Sequence, residues 1–352
     1  MRFSVLCTYY DKQVFERHTL RTLNEQTYRY FEFLLIDNSN GRCKSAGEAY
    51  NSTAAGAKGD FLIIVHQDVS LYSPDWLATL ARLVENHEFG MAGCSGMSRQ
   101  GQRLGFIKDR KAVWGRPFCC PQKAQTVDES IMIMPKEVFL DLGGFDHSLG
   151  WNSYGADLSL KCAQRGSDVL VFPLFLWHDS PSALRGVEKQ LWQLRQRYGR
   201  GVHTTSGSTN TGQLIINSFK SFLPRWLKNK LVTLLSALGL ESEGNVLSSR
   251  LSRAGKVLLL DLVPDCFSAG YQVIPQEIEL ERFSNNPIWP DLFIRLVLLQ
   301  DLGQLQAILQ DLEADTIVLL SNDLLSGLPA NERIEIKPFS ASYSLLVEGG
   351  PR

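Results

Sequence analysis

The first hundred residues alternate short apolar runs with amphipathic segments, and this alternation constrains the fold more than any other feature. The apolar runs have the length of strands, and two longer segments between them have the length of helices. In chain order the segments are Phe3–Thr8, Val14–Asn24, Phe33–Asp37, Ala46–Ala57 and Phe61–His66. This order is typical of βαβ units that build a mostly parallel sheet. The sequence therefore predicts an α/β fold with a Rossmann-like sheet.

Further elements are expected downstream, because apolar positions continue to recur at helix and strand spacing. A Pro in the first turn and a Ser that caps free amides favour a helix start at Ser73-Pro74. Weak periodicity from Gln100 to Pro121 predicts loops or a hairpin close to a substrate. The remaining expected elements are strands at Met91–Cys94, Val127–Met134 and Val169–Phe172 and helices at Lys136–Leu142 and Asp157–Arg165.

The chain of 352 residues exceeds the size usual for one hydrophobic core, so more than one domain is expected. We place an α/β catalytic domain at residues 1–200. Residues 201–255 form a Gly/Ser/Thr-rich linker followed by a basic amphipathic helix. Residues 256–352 form a small acidic α/β domain that contains no motif with recognisable chemistry.

The basic helix is predicted at Pro224–Leu238, where Leu and Trp residues recur along one stripe. Residues 214–256 contain seven Lys and Arg against two Asp and Glu. Two alternatives stay open: the helix lies on an anionic membrane surface, or it packs on the catalytic domain. No apolar run approaches the roughly 20 residues of a membrane span. The seven cysteines lack the spacing of a zinc site or a disulfide framework, which favours a location in the cytoplasm. The alternative location is a peripheral one at the inner face of the membrane.

Several function classes are disfavoured. The first strand ends in Cys7-Thr8-Tyr9-Tyr10 and has no Gly-x-Gly-x-x-Gly after it, which argues against dinucleotide oxidoreductases. A nucleotidyltransferase would need a Gly-rich and basic loop there, and Thr8–Gln13 offers only Lys12. A formal net charge of −1 without a basic, aromatic face argues against nucleic acid as a partner.

Polar residues follow the first and second strands. Ligands bind at the carboxyl ends of strands in open α/β sheets, so Thr8, Tyr9 and Asp37 are expected to lie close together. The Asp37 carboxylate could accept hydrogen bonds from a nucleobase or ribose. The alternative is an aspartate that only initiates a turn.

The third strand gives a sharper signal, because a fully apolar run ends abruptly in His66-Gln67-Asp68-Val69. This places the Asp68 carboxylate at the exit of a buried strand, where the sheet opens to a ligand. A divalent cation held there would neutralise the charges of a nucleotide diphosphate. The alternative is a polar strand end without a ligand.

Taken together, these segments resemble the family-two glycosyltransferases of GT-A fold. The resemblance is strongest to a subgroup that has HQDV in place of the usual Asp-x-Asp and is similar to a domain associated with streptomycin biosynthesis. It covers about residues 1–200. The matching segments are Thr8, Gln26-Thr27, Phe33–Ser39, Ala49–Asn51, His66–Val69, Val127–Glu129, Gly143–Asp146, Asp157-Leu158 before Gly166, and Trp177–Ser180.

The resemblance implies a donor site and a metal site. Asp68 and His178 would coordinate Mn²⁺ or Mg²⁺, and a neutral imidazole suits Mn²⁺ better than Mg²⁺. His66 takes the place of the first acid of Asp-x-Asp. The donor-binding residues would be Thr8, Tyr9, Asp37, Asn51, Gln67 and Asp68.

The catalytic base is where the sequence departs from the family pattern. The family commonly shows an acidic pair where this chain reads Tyr154-Gly155-Ala156-Asp157. Asp157 is the first candidate for the base, with Asp128 and Glu129 as substitutes; the alternative for Asp157 is a carboxylate favoured by the helix dipole. On the acceptor side, Gly143 and Gly144 would allow close approach of the backbone and Trp151 would offer a sugar platform, although large aromatic residues are more often simply core.

The expected function is transfer of a sugar from a nucleotide-diphosphate-sugar donor to a saccharide or lipid-linked acceptor, with inversion and a metal requirement. The alternative is a nucleotide-sugar binding protein that keeps the GT-A fold and has lost turnover. The missing acidic pair next to Tyr154 motivates this alternative.

Overall fold

The computed structural model describes residues 1–109, 112–115, 118, 120–180 and 187–210, together with the backbone of six C-terminal strands. The side chains of 112–115 lie outside this description. Contacts between residues divide the chain into two compact units, one containing the described residues up to 210 and the other containing the C-terminal strands. The two units are described separately.

The first unit contains fifteen strands and several helices. The strands are β1 Phe3–Tyr9, β2 Phe31–Asp37, β3 Phe61–His66, β4 Val69–Leu71, β5 Met91–Gly93, β6 Ser95–Met97, β7 Arg103–Asp109, β8 Ala112–Gly115, β9 Gln122–Lys123, β10 Thr126–Val127, β11 Ile131–Pro135, β12 Val169–Val171, β13 Leu176–His178, β14 His203–Thr204 and β15 Gly207–Ser208. The α-helices are α1 Lys12–Phe15, α2 Arg21–Asn24, α3 Ala46–Gly56, α4 Trp76–Asn86, α5 Lys136–Asp141, α6 Tyr154–Gln164 and α7 Val187–Tyr198. A π-helical turn, Glu16–Leu20, joins α1 to α2, and a 3₁₀ turn spans His147–Leu149.

The main sheet has seven strands in the order β2-β1-β3-β11-β5-β12-β9. β1 runs parallel to both β2 and β3, and β11 pairs antiparallel with β3. The register places Thr8 opposite His66 on one side and opposite Ile36 on the other. The polar ends of these three strands therefore lie at one edge of the sheet, as the sequence predicts. This arrangement confirms the expected α/β fold.

A second sheet has the order β10-β6-β7-β13-β4, and β8 pairs with β7. β13 runs antiparallel to β4 and parallel to β7. His178, the last residue of β13, is therefore opposite Val69 on one side and opposite Asp109 on the other. Because Val69 directly follows Asp68, this register brings His178 to the exit of β3.

The core explains why these segments form stable elements. In β3, Leu62 and the three residues after it are at most 2% exposed, which fits a strand covered on both faces. In α4, the apolar positions recur at helical spacing and are fully buried; they are Trp76, Leu77, Leu80 and Leu83. Burial of one such large side chain contributes about 1.5–3 kcal/mol. The Trp76 Nε1–H also donates to the carbonyl of Phe175 at 2.9 Å, so its polar atom is not left unpaired.

Several boundaries differ from the sequence expectations. The helix expected from Ser73-Pro74 begins at Trp76. The strand expected at Val127–Met134 is divided into β10 and β11 by a turn, because the Asp128 carboxylate accepts from the amide of Ser130. The helix expected from Asp157 begins three residues earlier, at Tyr154.

Two stretches with weak periodicity contain regular structure. The stretch from Gln100 to Pro121, where loops or a hairpin are expected, includes the antiparallel pair β7 and β8. The Gly/Ser/Thr run from Gly201 includes the hairpin of β14 and β15, which is held to the first unit by side chains. Thr126 donates its hydroxyl to the carbonyl of His203 at 2.6 Å, and Gln125 bonds the backbone of Gly201 and His203. These long-range bonds cannot be read from local sequence patterns.

The second unit contains one six-stranded sheet in the order β17-β18-β16-β19-β21-β20. Its strands are β16 Lys256–Leu262, β17 Glu277–Leu280, β18 Phe293–Leu299, β19 Thr316–Ser321, β20 Glu335–Pro338 and β21 Tyr343–Val347. β16 is parallel to β18 and β19. The helix expected at Pro224–Leu238 lies outside the described residues, and the domain boundaries at 200 and 255 stay predictions. Within the described part of the chain, no helix combines the length and apolarity needed to cross a bilayer.

Candidate functional site

Three side chains that can ligate a metal meet where β3 and β13 end. His66 is the last residue of β3, Asp68 follows it by two residues, and His178 is the last residue of β13. One ligand atom from each lies within 4.8 Å of the other two. Asp68 is 5% exposed, and the two imidazoles are partly buried. The strand register thus assembles a compact His-Asp-His group from residues 112 positions apart.

The charges of this group depend on one another. Burial raises the pKa of Asp68, but the contacts with His178 and the charge of His66 outweigh burial and lower the pKa to about 2. Burial lowers the pKa of His178, but contacts with Asp109 and Asp68 and the charge of Asp128 outweigh it and raise the pKa to about 10. Burial lowers the pKa of His66, which favours its neutral form. The carboxylates of Asp68, Asp109 and Asp128 therefore surround the imidazole of His178, which carries the positive charge.

The donor set fits a divalent cation. The Nε2 atom of His178 is buried and makes no hydrogen bond, although Asp68 Oδ1 lies 3.4 Å away. His66 Nε2 lies 2.9 Å from the hydroxyl of Tyr154, which fixes the orientation of this ring. Two imidazoles and one carboxylate suit a transition metal such as Mn²⁺ better than they suit Mg²⁺, which prefers oxygen ligands. A bound cation would replace the proton that otherwise balances the carboxylates.

The predicted nucleoside-binding residues lie at the ends of β1 and β2. Asp37 is exposed, and its carboxylate accepts from the Tyr9 hydroxyl and, at 2.9 Å, from the amide of Ser39. The Ser39 hydrogen bonds and the Tyr9 hydroxyl hold the pKa of Asp37 down to about 2. The Thr8 hydroxyl is buried and makes no hydrogen bond. A negative group and an unpaired hydroxyl are therefore available at this edge.

Gln67 connects the exits of β1 and β3. Its side-chain carbonyl accepts from the amides of Tyr10 and Asp11 at 2.9 and 3.0 Å. Its Nε2 is buried and has no hydrogen-bond partner. Gln67 therefore orders the loop after β1, and its amide still has a free donor.

Asn51, predicted to bind the donor, binds the backbone of Phe145 with its side-chain amide, and its donor role stays a prediction. Its Nδ2 donates to the carbonyl of Phe145 at 3.0 Å, and its Oδ1 accepts from the amide of Phe145 at 2.9 Å. The neighbouring Gly144 has φ +69°, and a Cβ there would be 2.5 Å from Asn51 Oδ1. Asn51 thus holds the loop predicted for the acceptor side, where Gly143 also has positive φ and Trp151 is 37% exposed.

Asp157, the first candidate for the base, lies in an ionic cluster, although its buried Oδ2 makes no hydrogen bond. It is 1% exposed, and its Oδ1 accepts from Arg197 at 2.9 Å and from the Tyr198 hydroxyl at 2.8 Å. Its Oδ2 lies 2.8 Å from Lys161 Nζ. Arg197 also pairs with Asp146 at 2.7 Å. Three side chains from α6 and α7 thus contact this carboxylate, and its role as the base stays a prediction.

The two substitute candidates lie in the turn between β10 and β11. Asp128 accepts from the amide of Ser130 at 2.9 Å and from the Thr205 hydroxyl at 2.5 Å. Burial raises the pKa of Asp128, but the charge of His178 and the hydrogen bonds from Thr205 and Ser130 outweigh burial and leave the pKa lowered. Asp128 is therefore an ionised carboxylate close to His178.

Glu129 differs from Asp128 because its pKa is raised. Burial, followed by the charge of Asp128, raises the pKa of Glu129 to about 8. Its Oε1 accepts from the amide of Gly155 at 3.2 Å, and the amide of Ser153 also donates to this carboxyl group. Ser153 has φ 61°, which is unusual for a residue with a side chain. Glu129 therefore holds the start of α6, with its proton retained near neutral pH.

Sequence reasoning did not identify Asp109, Tyr154 or Thr205 as site residues. Asp109 ends β7 and approaches the Nδ1 atom of His178 at 3.4 Å. Its role depends on the pairing of β7 with β13, which no local pattern reveals. Thr205 belongs to a hairpin in a stretch that reads as a linker, and Tyr154 appears only as part of the motif that lacks its acidic pair.

Comparisons with known proteins give remote similarities. No protein-family model matches the chain. The O-antigen biosynthesis protein RfbC of Myxococcus xanthus is 23% identical over 209 residues, which are 48% of this chain and 16% of that protein. The chain thus spans a small part of the length of this curated relative.

Several solved structures resemble the chain at low identity. The structure of GalNAc-T7 with UDP, GalNAc and Mn²⁺ is 15% identical and covers 51% of this chain and 44% of its own, with a TM-score of 0.41. TarS 1–349 of S. aureus is 16% identical and covers 56% and 64%, with a TM-score of 0.41. The mannosyltransferase PcManGT of Pyrobaculum calidifontis with GDP-Man and Mn²⁺ is 13% identical and covers 71% and 78%, with a TM-score of 0.42.

Proposed function

We propose that the chain is a glycosyltransferase that moves a sugar from a nucleotide-diphosphate-sugar to a saccharide or lipid-linked acceptor. The observation that supports this most is the His66-Asp68-His178 group at the edge of the sheet where β1, β2 and β3 end. The order of motifs along residues 1–200 supports it independently. Similarity to a protein named for O-antigen biosynthesis is consistent with a role in polysaccharide synthesis.

The donor nucleotide is assigned to the ends of β1 and β2. Asp37 offers a carboxylate to ribose or base hydroxyl and amino groups, and the buried Thr8 hydroxyl can bond a polar group of the donor. Gln67 fixes the backbone of Tyr10 and contributes its free amide donor. These groups would orient the nucleoside so that its diphosphate points toward Asp68.

Asp68, His178 and His66 are assigned to the divalent cation. When bound, Mn²⁺ would neutralise the diphosphate and stabilise its charge as the bond to the sugar breaks. The residues of the chain supply the rest: the carboxylate and imidazoles set the position, and burial excludes water from it.

Asp128 is the proposed base, ahead of Asp157 and Glu129. Inversion requires a group that removes the acceptor hydroxyl proton as the new bond forms. Asp128 is ionised and already accepts a hydrogen bond from a hydroxyl, that of Thr205. Asp157 is ion-paired with Arg197 and Lys161 and accepts from Tyr198, and the raised pKa of Glu129 keeps its carboxyl group protonated at neutral pH.

A binding protein without turnover is the second candidate, and the absence of the acidic pair next to Tyr154, together with the ion pairs of Asp157, favours it. In that case, nucleotide diphosphates would bind without transfer to any acceptor. Calorimetry with UDP and GDP, combined with a turnover assay against saccharide and lipid-linked acceptors, separates the two candidates.

The test of the proposed function compares the wild-type chain with Asp68→Ala. We expect Mn²⁺-dependent release of nucleotide from a panel of UDP- and GDP-sugars, and a loss of roughly 10²–10³-fold in the variant, as is typical when a group that stabilises transition-state charge is removed. Asp75→Ala is the control, because this exposed carboxylate precedes α4 and contacts only Thr27 through its side chain. Equal rates in wild type and Asp68→Ala would remove Asp68 from the reaction.

A further inference from the structure

Two carboxylates approach opposite nitrogens of His178 at equal distance. Asp68 Oδ1 lies 3.4 Å from Nε2, and Asp109 Oδ1 lies 3.4 Å from Nδ1. The distances alone do not distinguish their roles. Their surroundings do, because Asp68 is also close to the ligand atom of His66, whereas Asp109 lies on the far side of the ring.

We infer that Asp109 is the positioning residue of the metal site: it accepts the Nδ1–H of His178 and thereby directs Nε2 toward the cation. The inference rests on the proposed function, since it assumes the cation assigned to Asp68 and His178. A ring nitrogen that binds a cation carries no proton, so the single proton of the neutral ring sits on the other nitrogen. Metal-ligating histidines usually donate that proton to a carboxylate or carbonyl, which fixes the tautomer and the ring orientation.

The exposed fractions agree with this division of roles. The Asp68 side chain is 7% exposed, as expected for a ligand enclosed with its metal. The Asp109 side chain is 32% exposed, as expected for a partner that lies outside the enclosed metal site.

The backbone around Asp109 is fixed independently of its carboxylate. β7 and β13 are paired at two positions, Lys108 with Trp177 and Asp109 with His178. Lys108 Nζ lies 4.7 Å from the centre of the Trp177 ring, and the other side of β13 is paired with β4. Trp177 also packs edge-to-face against His18, with ring centres 5.2 Å apart. Removal of the Asp109 charge should thus release the ring of His178 without displacing its strand.

The experiment measures Mn²⁺ affinity of the full chain by electron paramagnetic resonance of the free ion. We expect Asp109→Asn to weaken Mn²⁺ binding about 10–100-fold, the range usual for loss of such a partner. Asp109→Glu should restore most of the affinity, which a merely structural role would not predict. Asp109→Ala is a second variant that places no amide beside the ring, and thermal unfolding without metal checks that each variant folds.

Asp168→Asn is the matched control, because Asp168 is also a partly exposed carboxylate in one ion pair, with Lys123 at 2.8 Å. It should bind Mn²⁺ as the wild type does. Equal affinity of wild type, Asp109→Asn and Asp109→Ala would overturn the inference and leave the proposed metal site intact. Absence of Mn²⁺ binding to the wild type would overturn the metal site itself and the inference with it.

Discussion

Asp68 and Asp157 are both almost completely buried, yet their surroundings differ in one decisive respect. Asp157 is matched by two cations and a phenol: Arg197, Lys161 and Tyr198. Asp68 faces imidazoles, one of which has a buried nitrogen without a hydrogen bond. Asp157 is thus paired with permanent cations, whereas the described neighbours that balance the charge of Asp68 are imidazoles.

The difference teaches how to separate structural from functional charge. A buried carboxylate costs several kcal/mol of desolvation unless other groups compensate it. At Asp157 the compensation is permanent, because Lys161 lies one turn along the same helix and Arg197 lies on the adjacent α7. At Asp68 the compensation depends on protonation of His178. Only the second arrangement can exchange its compensating charge for a bound cation.

The largest expected effect is a loss of stability on mutation of Asp157, which tests the contrast between the two carboxylates. Asp157→Asn leaves Arg197 and Lys161 without their shared carboxylate, so we expect the free energy of unfolding to fall by about 3 kcal/mol, at the low end for a buried pair because both cations are partly exposed. Asp68→Asn should cost less, about 2 kcal/mol without metal, because the lowered pKa of Asp68 reflects its contacts with His178, and His178 keeps Asp109. Denaturant unfolding in the presence of a chelator measures both.

Asp146→Asn is the control for this prediction, because it also contacts Arg197 but is partly exposed. A change below about 1 kcal/mol is expected for it. If Asp68→Asn destabilised the metal-free chain as much as Asp157→Asn, both carboxylates would be structural and the contrast would fail.

The second prediction concerns Glu129. This residue avoids the cost of a buried negative charge by staying protonated. Its pKa is raised from 4.5 to about 8, so the folded chain binds this proton more tightly than the unfolded chain. The contribution to stability is complete below pH 4.5 and is lost as pH rises toward 8. Glu129→Gln has the shape of the protonated side chain and does not titrate. The free energy of unfolding of this variant, relative to wild type, should therefore increase by on the order of 1–3 kcal/mol between pH 5 and 8.

Urea unfolding at a series of pH values provides the measurement, and the difference between the two chains cancels the other titrating groups. Glu137→Gln is the control, since this residue lies in the first turn of α5, away from the turn that contains Glu129. Parallel stability curves for wild type and Glu129→Gln would show that the Glu129 carboxyl group is not protonated in the folded chain.

The sequence was informative wherever a property follows from local pattern. The five alternating segments predict the sheet and place Thr8, Asp37 and His66 at one edge, because carboxyl ends of parallel strands coincide. The proximity of His178 to Asp68, which the resemblance implies, results from pairing of β13 with β4.

The remaining features depend on contacts between distant segments. Asp157 is the first candidate for the base from sequence, and its contact with Arg197, forty residues later, is visible only in the fold. The contacts of Asp109 with His178 and of Asn51 with the backbone of Phe145 also depend on tertiary structure. Local sequence specifies which groups are available, whereas tertiary contacts decide which of them remain unsatisfied.

The smallest expected effect concerns Asp128, whose negative charge is balanced only in part by its neighbours. The hydroxyl of Thr205 donates to Asp128 Oδ2 and contributes to the lowered pKa of this carboxylate. Thr205→Val removes the donor and keeps the shape, so the pKa of Asp128 should rise and the acid limb of the kcat/KM profile should move to higher pH. Because the pKa of Asp128 is lowered, we expect a loss of about threefold to tenfold below about pH 4 and little change above about pH 6, which corresponds to one hydrogen bond of about 1 kcal/mol. Thr205→Ser should retain the wild-type profile, because it keeps the hydroxyl. If Thr205→Val lowered the rate equally at all pH values, the hydroxyl would act on acceptor binding rather than on the base, and Asp128 would lose its assignment as the group that titrates.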